Sequence, residues 1–309
     1  MSLLRTLFSK KILDITRWKK FIKHYLPDVI AAPRMMVIRW SSWRMQHHFD
    51  RRYRILDEAG VCKTRKSDTL FIFGSGYSLN DLSKEEYQHI EQHQTMGFNW
   101  FVRQKYVRCD YFLIREIIGD RADFMTGRWI EVLQEYTNLM NTPQFANTVY
   151  VIQTGWKAFV TNRLLGLGLL KPGSAIYRFL SIGRGQWIPP STNLRQGLVH
   201  GVCTLAECIN FAMLIGFKKL VLVGVDLYDQ RYFWLPPDKT RHDLEIRGIA
   251  PTDEHPGNRW IIDFFQYWKP FLDEQGVSVE VYNPRSLLNS VFPIYQQPLS
   301  IPTSVKVHS

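Results

Sequence analysis

Short apolar runs alternate with amphipathic segments along most of the chain. The runs that predict buried strands are Thr69–Phe73, Thr95–Asn99, Tyr111–Ile114, Thr148–Gln153, Leu220–Val225 and Val277–Tyr282. Between them, the spacing of apolar residues predicts helices, most clearly over Val202–Ile215 and Ile261–Glu274, with a more polar one around Asn80–Gln92. Strands that alternate with helices favour a sheet covered on both faces. The predicted fold class is therefore α/β, with a doubly wound, mostly parallel, Rossmann-like sheet.

The N-terminal part follows a different pattern. Apolar residues from Leu4 to Leu26 fall on one side of a helix that Pro27 is expected to end, and basic residues occupy the other side. The next segment, Met35–Arg54, interleaves tryptophan with arginine. A basic amphipathic helix rich in Trp is typical of a segment that lies in the headgroup region of an anionic membrane. Packing of this segment on the body is the alternative, and nucleic-acid binding is disfavoured because no DNA- or RNA-binding motif accompanies it.

Charge separates this segment from the rest. The net charge of the 309 residues is +11, and residues 1–54 hold thirteen basic and three acidic side chains. The remainder is nearly neutral and, at 45% hydrophobic overall, can bury a sizeable core. We predict a membrane-associating segment over 1–60, a nucleotide-binding domain over 67–290 and a tail over 291–309. Residues 155–193, which fit no clean period, are expected to form a helical insertion or lid.

Cysteine usage and hydropathy suggest a location. Four cysteines without a CxxC pattern favour buried, reduced thiols over a disulfide framework or a metal site. No signal-peptide pattern is visible, and the longest nearly uncharged stretch, 197–217, contains Glu207 and is typical of a buried helix. We expect a cytoplasmic protein, peripheral on the inner membrane.

Candidate binding residues follow the predicted strands, where ligands of such sheets bind. Gly74, Ser75 and Gly76 end the first strand, where glycines let a backbone approach a phosphate at a helix N-terminus. Leu79 replaces the third glycine of the dinucleotide fingerprint, so a nucleotide site and a tight turn both stay open. Asn99 follows the second strand.

Two histidines add candidates for chemistry. His200 and Gly201 precede a predicted helix, and His255 stands beside two carboxylates at a loop-to-helix junction. A histidine near carboxylates can serve as a base, although a structural or surface role is the alternative for each.

Five motifs in order resemble one enzyme family. They are FIFGSGYSL (71–79), GFN (97–99), His200-Gly201 before a helix that leads to GVDLY (224–228), the HxxN of His255 and Asn258, and NPRSLL (283–288). Over about residues 69–290 the chain is similar to the bacterial lipooligosaccharide sialyltransferases, glycosyltransferase family forty-two. It also resembles the wider group of motility accessory factors, 6-hydroxymethylpterin diphosphokinase-like proteins and Kdo transferases.

The resemblance implies roles for individual residues. His255 matches the general base, while Tyr228 and, less closely, Tyr232 match tyrosines that stabilise the leaving phosphate. The nucleotide pocket would comprise Gly74, Ser75, Gly76, Ser78, Asn99, His200, Gly201 and Asp226. Ser75 stands where the sialyltransferases usually have Asn, and His200 where they have Ser or Thr. These two substitutions leave the donor less well defined than the nucleotide class. The basic segment is N-terminal here and C-terminal in those enzymes.

The implied reaction moves a CMP-linked 2-keto sugar acid, of the sialic acid or Kdo type, to a surface glycolipid or polysaccharide. Tyr228 stands where the second acid of a metal-binding DxD would stand, which favours inverting transfer without a metal or other cofactor. Two alternatives are an ATP- and Mg²⁺-dependent pterin-type diphosphokinase and a non-catalytic, membrane-bound nucleotide-binding protein. The sequence is also compatible with a homo-oligomer.

Overall fold

The structure is a computed structural model that describes residues 26–115, 128–228, 231–236, 238 and 256–296. Its ten strands in this part of the chain are β1 (Arg54–Leu56), β2 (Thr69–Phe73), β3 (Gln94–Phe98), β4 (Tyr111–Ile114), β5 (Val149–Gln153), β6 (Ala175–Phe179), β7 (Ser181–Arg184), β8 (Leu198–Gly201), β9 (Lys219–Val223) and β10 (Ser278–Val281). Eight of them form one sheet in the order β1-β6-β5-β4-β3-β2-β9-β10, and every neighbouring pair is parallel. Strands β7 and β8 pair separately.

Seven α-helices flank the sheets in the described residues. They are α1 (Leu26–Met45), α2 (Glu58–Cys62), α3 (Lys84–Ile90), α4 (Arg128–Met140), α5 (Phe159–Gly166), α6 (Thr204–Leu214) and α7 (Pro256–Glu274). One core lies where α6 and α7 pack on Leu70 and Ile72, and the other where α3, α4 and α5 pack near Phe71 and Phe73. Alternate residues of β2 thus face opposite cores, which explains why the strand is an unbroken apolar run. The structure is a doubly wound α/β fold.

The chain changes direction across the sheet between β2 and β9. The helix after β2 is α3, on one face, and the helix after β9 is α7, on the other. The two strands pair in register, Phe73 opposite Val223. In open parallel sheets a crevice forms where successive connections diverge to opposite faces, so this edge is the expected place for a ligand.

Residues 155–193 differ from the expected helical insertion. Helix α5 is buried on the sheet, and β6 is an internal strand between β1 and β5. Arg178 interrupts the apolar run of β6 and hides it from a hydropathy pattern. Its guanidinium pairs with Asp50 (3.1 Å from Nη1 to Oδ2) and donates to the Gln46 carbonyl (3.0 Å), so the charge is accommodated inside the fold.

The N-terminal boundary also moves. Strand β1 (Arg54–Leu56) belongs to the main sheet, so the sheet begins before residue 67, the expected start of the domain. Pro27 is the second residue of α1, which continues to Met45 and packs on α5 through a 2.8 Å contact between Arg163 Nε and Ser42 Oγ. Residues 1–25 of the predicted amphipathic helix and most of the 291–309 tail lie outside the described residues. No helix in the described ranges is long and apolar enough to cross a membrane.

Candidate functional site

A cavity of about 360 Å³ opens at the carboxyl ends of β2, β3 and β9. It lies at the crevice that the topology predicts. The predicted site residues that line it are Gly74, Ser75, Gly76, Asn99, His200, Asp226 and Tyr232. These come from four separate stretches of the sequence, and the fold brings them to one wall.

Asp226 fastens the loop after β2 to the end of β9. Its side chain is buried, and its oxygens accept hydrogen bonds from the Ser78 amide (2.9 Å), the Ser78 hydroxyl and Asn283 Nδ2 (3.0 Å). Three neutral donors therefore satisfy this carboxylate from inside the protein. Ser78 is buried behind the wall and does not line the cavity.

The glycines of the same loop are required by its closeness to β9. The Gly74 amide donates to the Val223 carbonyl and the Gly76 amide to the Gly224 carbonyl, both at 2.8 Å. A Cβ on Gly76 would lie 2.3 Å from Asp226 Oδ2, and one on Gly74 would lie 2.4 Å from a backbone oxygen. The sequence suggested that these glycines let a backbone approach a phosphate. In the structure both amides are already used by the protein.

Ser75 differs from its neighbours. Its hydroxyl is buried and has no hydrogen-bond partner, yet the residue lines the cavity. A buried polar group without a partner is costly, and such groups are rare in native proteins. The Ser75 hydroxyl is thus a hydrogen-bonding group that a ligand in this cavity could satisfy.

Backbone strain marks two cavity residues. Asn99 has φ +52°, a left-handed conformation that Asn tolerates better than most residues, and its carbonyl accepts from the Tyr136 hydroxyl at 2.5 Å. Leu227 has φ +63°, which is a costly conformation for a bulky side chain. Such strain is found preferentially at functional sites.

The two predicted tyrosines occupy different environments. Tyr232 lines the cavity and stacks on Trp234, with ring centroids 4.3 Å apart. Tyr228 is not among the lining residues; its hydroxyl accepts from Asn283 Nδ2 at 3.0 Å, and the Arg285 guanidinium lies over its ring. Asn283 thereby connects Tyr228 to Asp226.

The remaining predicted residues lie elsewhere. Gly201 has φ +54° and packs against Phe264 of α7. A Cβ on Gly201 would lie 2.2 Å from the Phe264 ring. His255 is outside the described residues. Residues that the sequence analysis missed also line the cavity, among them Trp100, Cys203, Thr204 and Ile261. Trp100 directly follows Asn99, Cys203 and Thr204 closely follow Gly201, and Ile261 begins the predicted helix that comes after Asn258.

Cys203 is unsuited to act as a nucleophile in this wall. Burial raises the pKa of its thiol to about 12, so the thiol stays protonated near neutral pH. All four cysteines are free; Cys109 and Cys208 are buried, as expected, and Cys62 and Cys203 are half-buried. In the ranges that the structure describes, no cluster of three or more His, Cys, Asp or Glu side chains is arranged to hold a metal ion.

Several solved structures are similar to this one. The monofunctional α-2,3-sialyltransferase Cst-I from Campylobacter jejuni is 14% identical, with 74% of this chain and 82% of that chain covered and a TM-score of 0.41. A variant of the sialyltransferase Cst-II in complex with CMP is 12% identical, with coverage of 74% and 86% and a TM-score of 0.40. Cst-II from Campylobacter jejuni in complex with a substrate analogue, cytidine-5'-monophosphate, is 12% identical, with 74% of this chain and 85% of that chain covered and a TM-score of 0.38.

No protein-family model matches the chain, and the comparison with curated proteins finds no match. Identities this low, at TM-scores below 0.5, carry no inference about activity. The described residues define a doubly wound α/β protein with a cavity at the carboxyl ends of β2 and β9, and both polar and apolar residues line this cavity.

Proposed function

We propose that the chain is a glycosyltransferase that moves a 2-keto sugar acid from a CMP-linked donor to a hydroxyl of a surface glycolipid or polysaccharide. The observation that carries the proposal is the unpartnered Ser75 hydroxyl in a cavity at the β2/β9 crevice. Six further residues implied by the sialyltransferase resemblance line the same cavity: Gly74, Gly76, Asn99, His200, Asp226 and Tyr232.

In the proposed reaction, His255 takes the proton of the acceptor hydroxyl. The hydroxyl oxygen then bonds to the anomeric carbon, the bond from that carbon to the phosphate oxygen breaks, and CMP departs with the electron pair. Tyr232, which lines the cavity, would stabilise the negative charge on the departing phosphate in place of a metal. The resemblance assigns the same role to Tyr228, whose hydroxyl accepts from Asn283 outside the lining of the cavity. His255 directly precedes Pro256, the first residue of α7, and Ile261 of that helix lines the cavity.

A nucleotide panel tests the class of ligand. We expect CMP to raise the melting temperature, because a ligand that binds only the folded state stabilises it. Ser75→Ala should reduce the shift in melting temperature. Ser67→Ala should leave the shift unchanged, because the Ser67 hydroxyl donates to the nearby Thr69 carbonyl. Stabilisation by ATP with Mg²⁺ instead would support the diphosphokinase, and stabilisation by neither would contradict any nucleotide-dependent function.

The base is tested separately with the intact donor and EDTA. His255→Ala should reduce transfer by about 10²–10⁴-fold, the usual contribution of general base catalysis, while CMP binding stays near wild type. Transfer should persist in EDTA. Restoration by Mg²⁺ or Mn²⁺ of an activity lost in EDTA would contradict the metal-independent mechanism.

We also propose that α1 contacts an anionic membrane. Met36, Val37, Trp40 and Trp43 are each 45–63% exposed, although the buried Ser42 holds the same helix on α5. Arg44 lies 5.0 Å from the centre of the Trp40 ring, so cationic and aromatic groups share the exposed surface. This combination suits the headgroup region of an anionic bilayer.

Co-sedimentation with vesicles of anionic and of zwitterionic lipid tests the membrane contact. Trp40→Ala with Trp43→Ala should reduce binding to the anionic vesicles, and raised salt should release the wild type. Trp260→Ala is the matched control, since that side chain is 58% exposed on α7. Equal binding by all three proteins would overturn the proposal.

A further inference from the structure

Glu207 is a fully buried carboxylate in the middle of the apolar helix α6. Its Oε1 accepts from the Ser181 hydroxyl at 2.5 Å, whereas Oε2 has no hydrogen-bond partner. Oε2 lies 3.5 Å from Arg115 Nε and 3.4 Å from His200 Nδ1. A buried carboxylate is costly unless it is paired, so the position of Glu207 depends on these two neighbours.

The neighbours join the cavity wall to both sheets. Ser181 begins β7, His200 lies in β8, and Arg115 follows the last residue of β4. Only His200 of this group lines the cavity. Its Nδ1 edge faces Glu207, which leaves Nε2 as the ring nitrogen available to a ligand.

Charged groups lie on one side of the ring. Glu207 of α6 faces Nδ1, and Arg115, which follows β4, lies beside the same carboxylate oxygen. An anion at Nε2 would place the ring between two negative groups and favour the doubly protonated form, in which both nitrogens donate. The arrangement is suited to an anionic ligand that binds together with a proton.

We infer that Glu207 and Arg115 are positioning residues for His200, whose Nε2 donates to an anionic oxygen of the nucleotide-sugar donor. The inference rests on the proposed function and adds to it a specific recognition device. The anionic oxygen could come from the phosphate of the nucleotide or from the carboxylate of the sugar acid, which share this chemistry.

Calorimetric titration with CMP in two buffers of different ionisation enthalpy measures protons taken up on binding. We expect wild type to take up more protons than His200→Asn, and His200→Asn to bind CMP roughly 10- to 100-fold more weakly, the range for a hydrogen bond to a charged group. Cytidine, which lacks the phosphate, should bind both proteins equally. If only a non-reactive CMP-sialic acid analogue distinguishes the proteins, the carboxylate is the anion; if neither ligand does, the inference is overturned.

A double-mutant cycle tests whether Glu207 acts through His200. Glu207→Gln keeps an oxygen for Ser181 and should weaken CMP binding, but the double variant should be no worse than His200→Asn alone. Glu280→Gln is the matched control, because that carboxylate is half-buried, pairs with Lys219 at 2.9 Å and lies outside the cavity. Additive effects would assign Glu207 a general structural role and refute the positioning role.

Nitrogen NMR of the histidine rings separates this inference from the proposed function. The signal that disappears in His200→Asn should show a proton on Nδ1 in wild type and a changed tautomer balance in Glu207→Gln, with no ligand present. An unchanged tautomer refutes the positioning even if CMP binds. Absence of CMP binding with the tautomer change refutes the function and leaves the positioning intact.

Discussion

Two buried carboxylates near the same cavity are held in contrasting ways. Asp226 accepts from the Ser78 amide and hydroxyl and from Asn283, which are all neutral donors. Glu207 accepts from one hydroxyl and otherwise faces a guanidinium and an imidazole at 3.4–3.5 Å. Asp226 therefore holds the loop to the strand through neutral donors, whereas Glu207 is held beside two basic side chains.

The difference shows that burial alone does not identify a functional carboxylate. Direct neutral hydrogen bonds stabilise one geometry and do not respond to pH near neutrality. Ion pairs with a titratable partner respond to any ligand that changes the charge of that partner. The hydrogen-bond and charge partners of the two carboxylates, more than the extent of their burial, distinguish the Asp226 region from the Glu207 region.

The largest expected effect comes from crowding the Asp226 region. Gly76→Ala should lower the free energy of unfolding by about 2–3 kcal/mol, because the new methyl would overlap Asp226 Oδ2 in a packed loop. Urea denaturation measures it. Gly173→Ala is the control: nothing lies within 4 Å of its added Cβ, and only its φ of +82° is unfavourable, at about 1 kcal/mol. An equal loss in both variants would show that crowding at Asp226 is not the cause.

A matched pair of serine substitutions gives the next effect. Ser78→Ala and Ser181→Ala each remove one hydroxyl donor from a buried carboxylate, and each should lower stability by about 1.5–3 kcal/mol. Only Ser181→Ala should also change the proton uptake on CMP binding, since Glu207 faces a titratable ring. A change in proton uptake in Ser78→Ala as well would remove the distinction between the regions.

A third, more exposed carboxylate provides the smallest effect. Burial raises the pKa of Asp50, but hydrogen bonds and charge from Arg178 and His47 outweigh it, so the pKa lies below its usual value. The stabilisation is present above the pKa of the unfolded chain, about 3.9, and is lost as pH falls through the lower folded value. Asp50→Asn should therefore lose less stability than wild type between pH 5 and pH 3, by about 0.5 kcal/mol or less because water screens the pair. Parallel denaturation curves at these pH values measure it, and identical pH dependence would contradict it.

Local pattern was sufficient for much of the fold. All six predicted strands are present within two residues of their expected bounds, because a strand covered on both faces must be apolar throughout, as TLFIF is. The GSG segment and the first four residues of GVDLY, both at predicted strand ends, line one cavity, whereas Tyr228 does not. The positions of glycines and the spacing of apolar residues depend on a few neighbouring residues, so both can be recognised without knowing the rest of the chain.

Tertiary structure decided what depends on distant partners. Strand β6 was missed because Arg178 interrupts its apolar run, and the Asp50 carboxylate that compensates this charge lies 128 residues earlier. Glu207 marked a buried helix in the sequence, but its contact with Arg115 and His200 arises only when β4, β8 and α6 meet. Periodicity and turn chemistry are local properties of the sequence. The pairing of charged side chains is determined by the packing of elements that are far apart in the chain. The roles of Asp226 and Glu207 could therefore be distinguished only in the folded molecule.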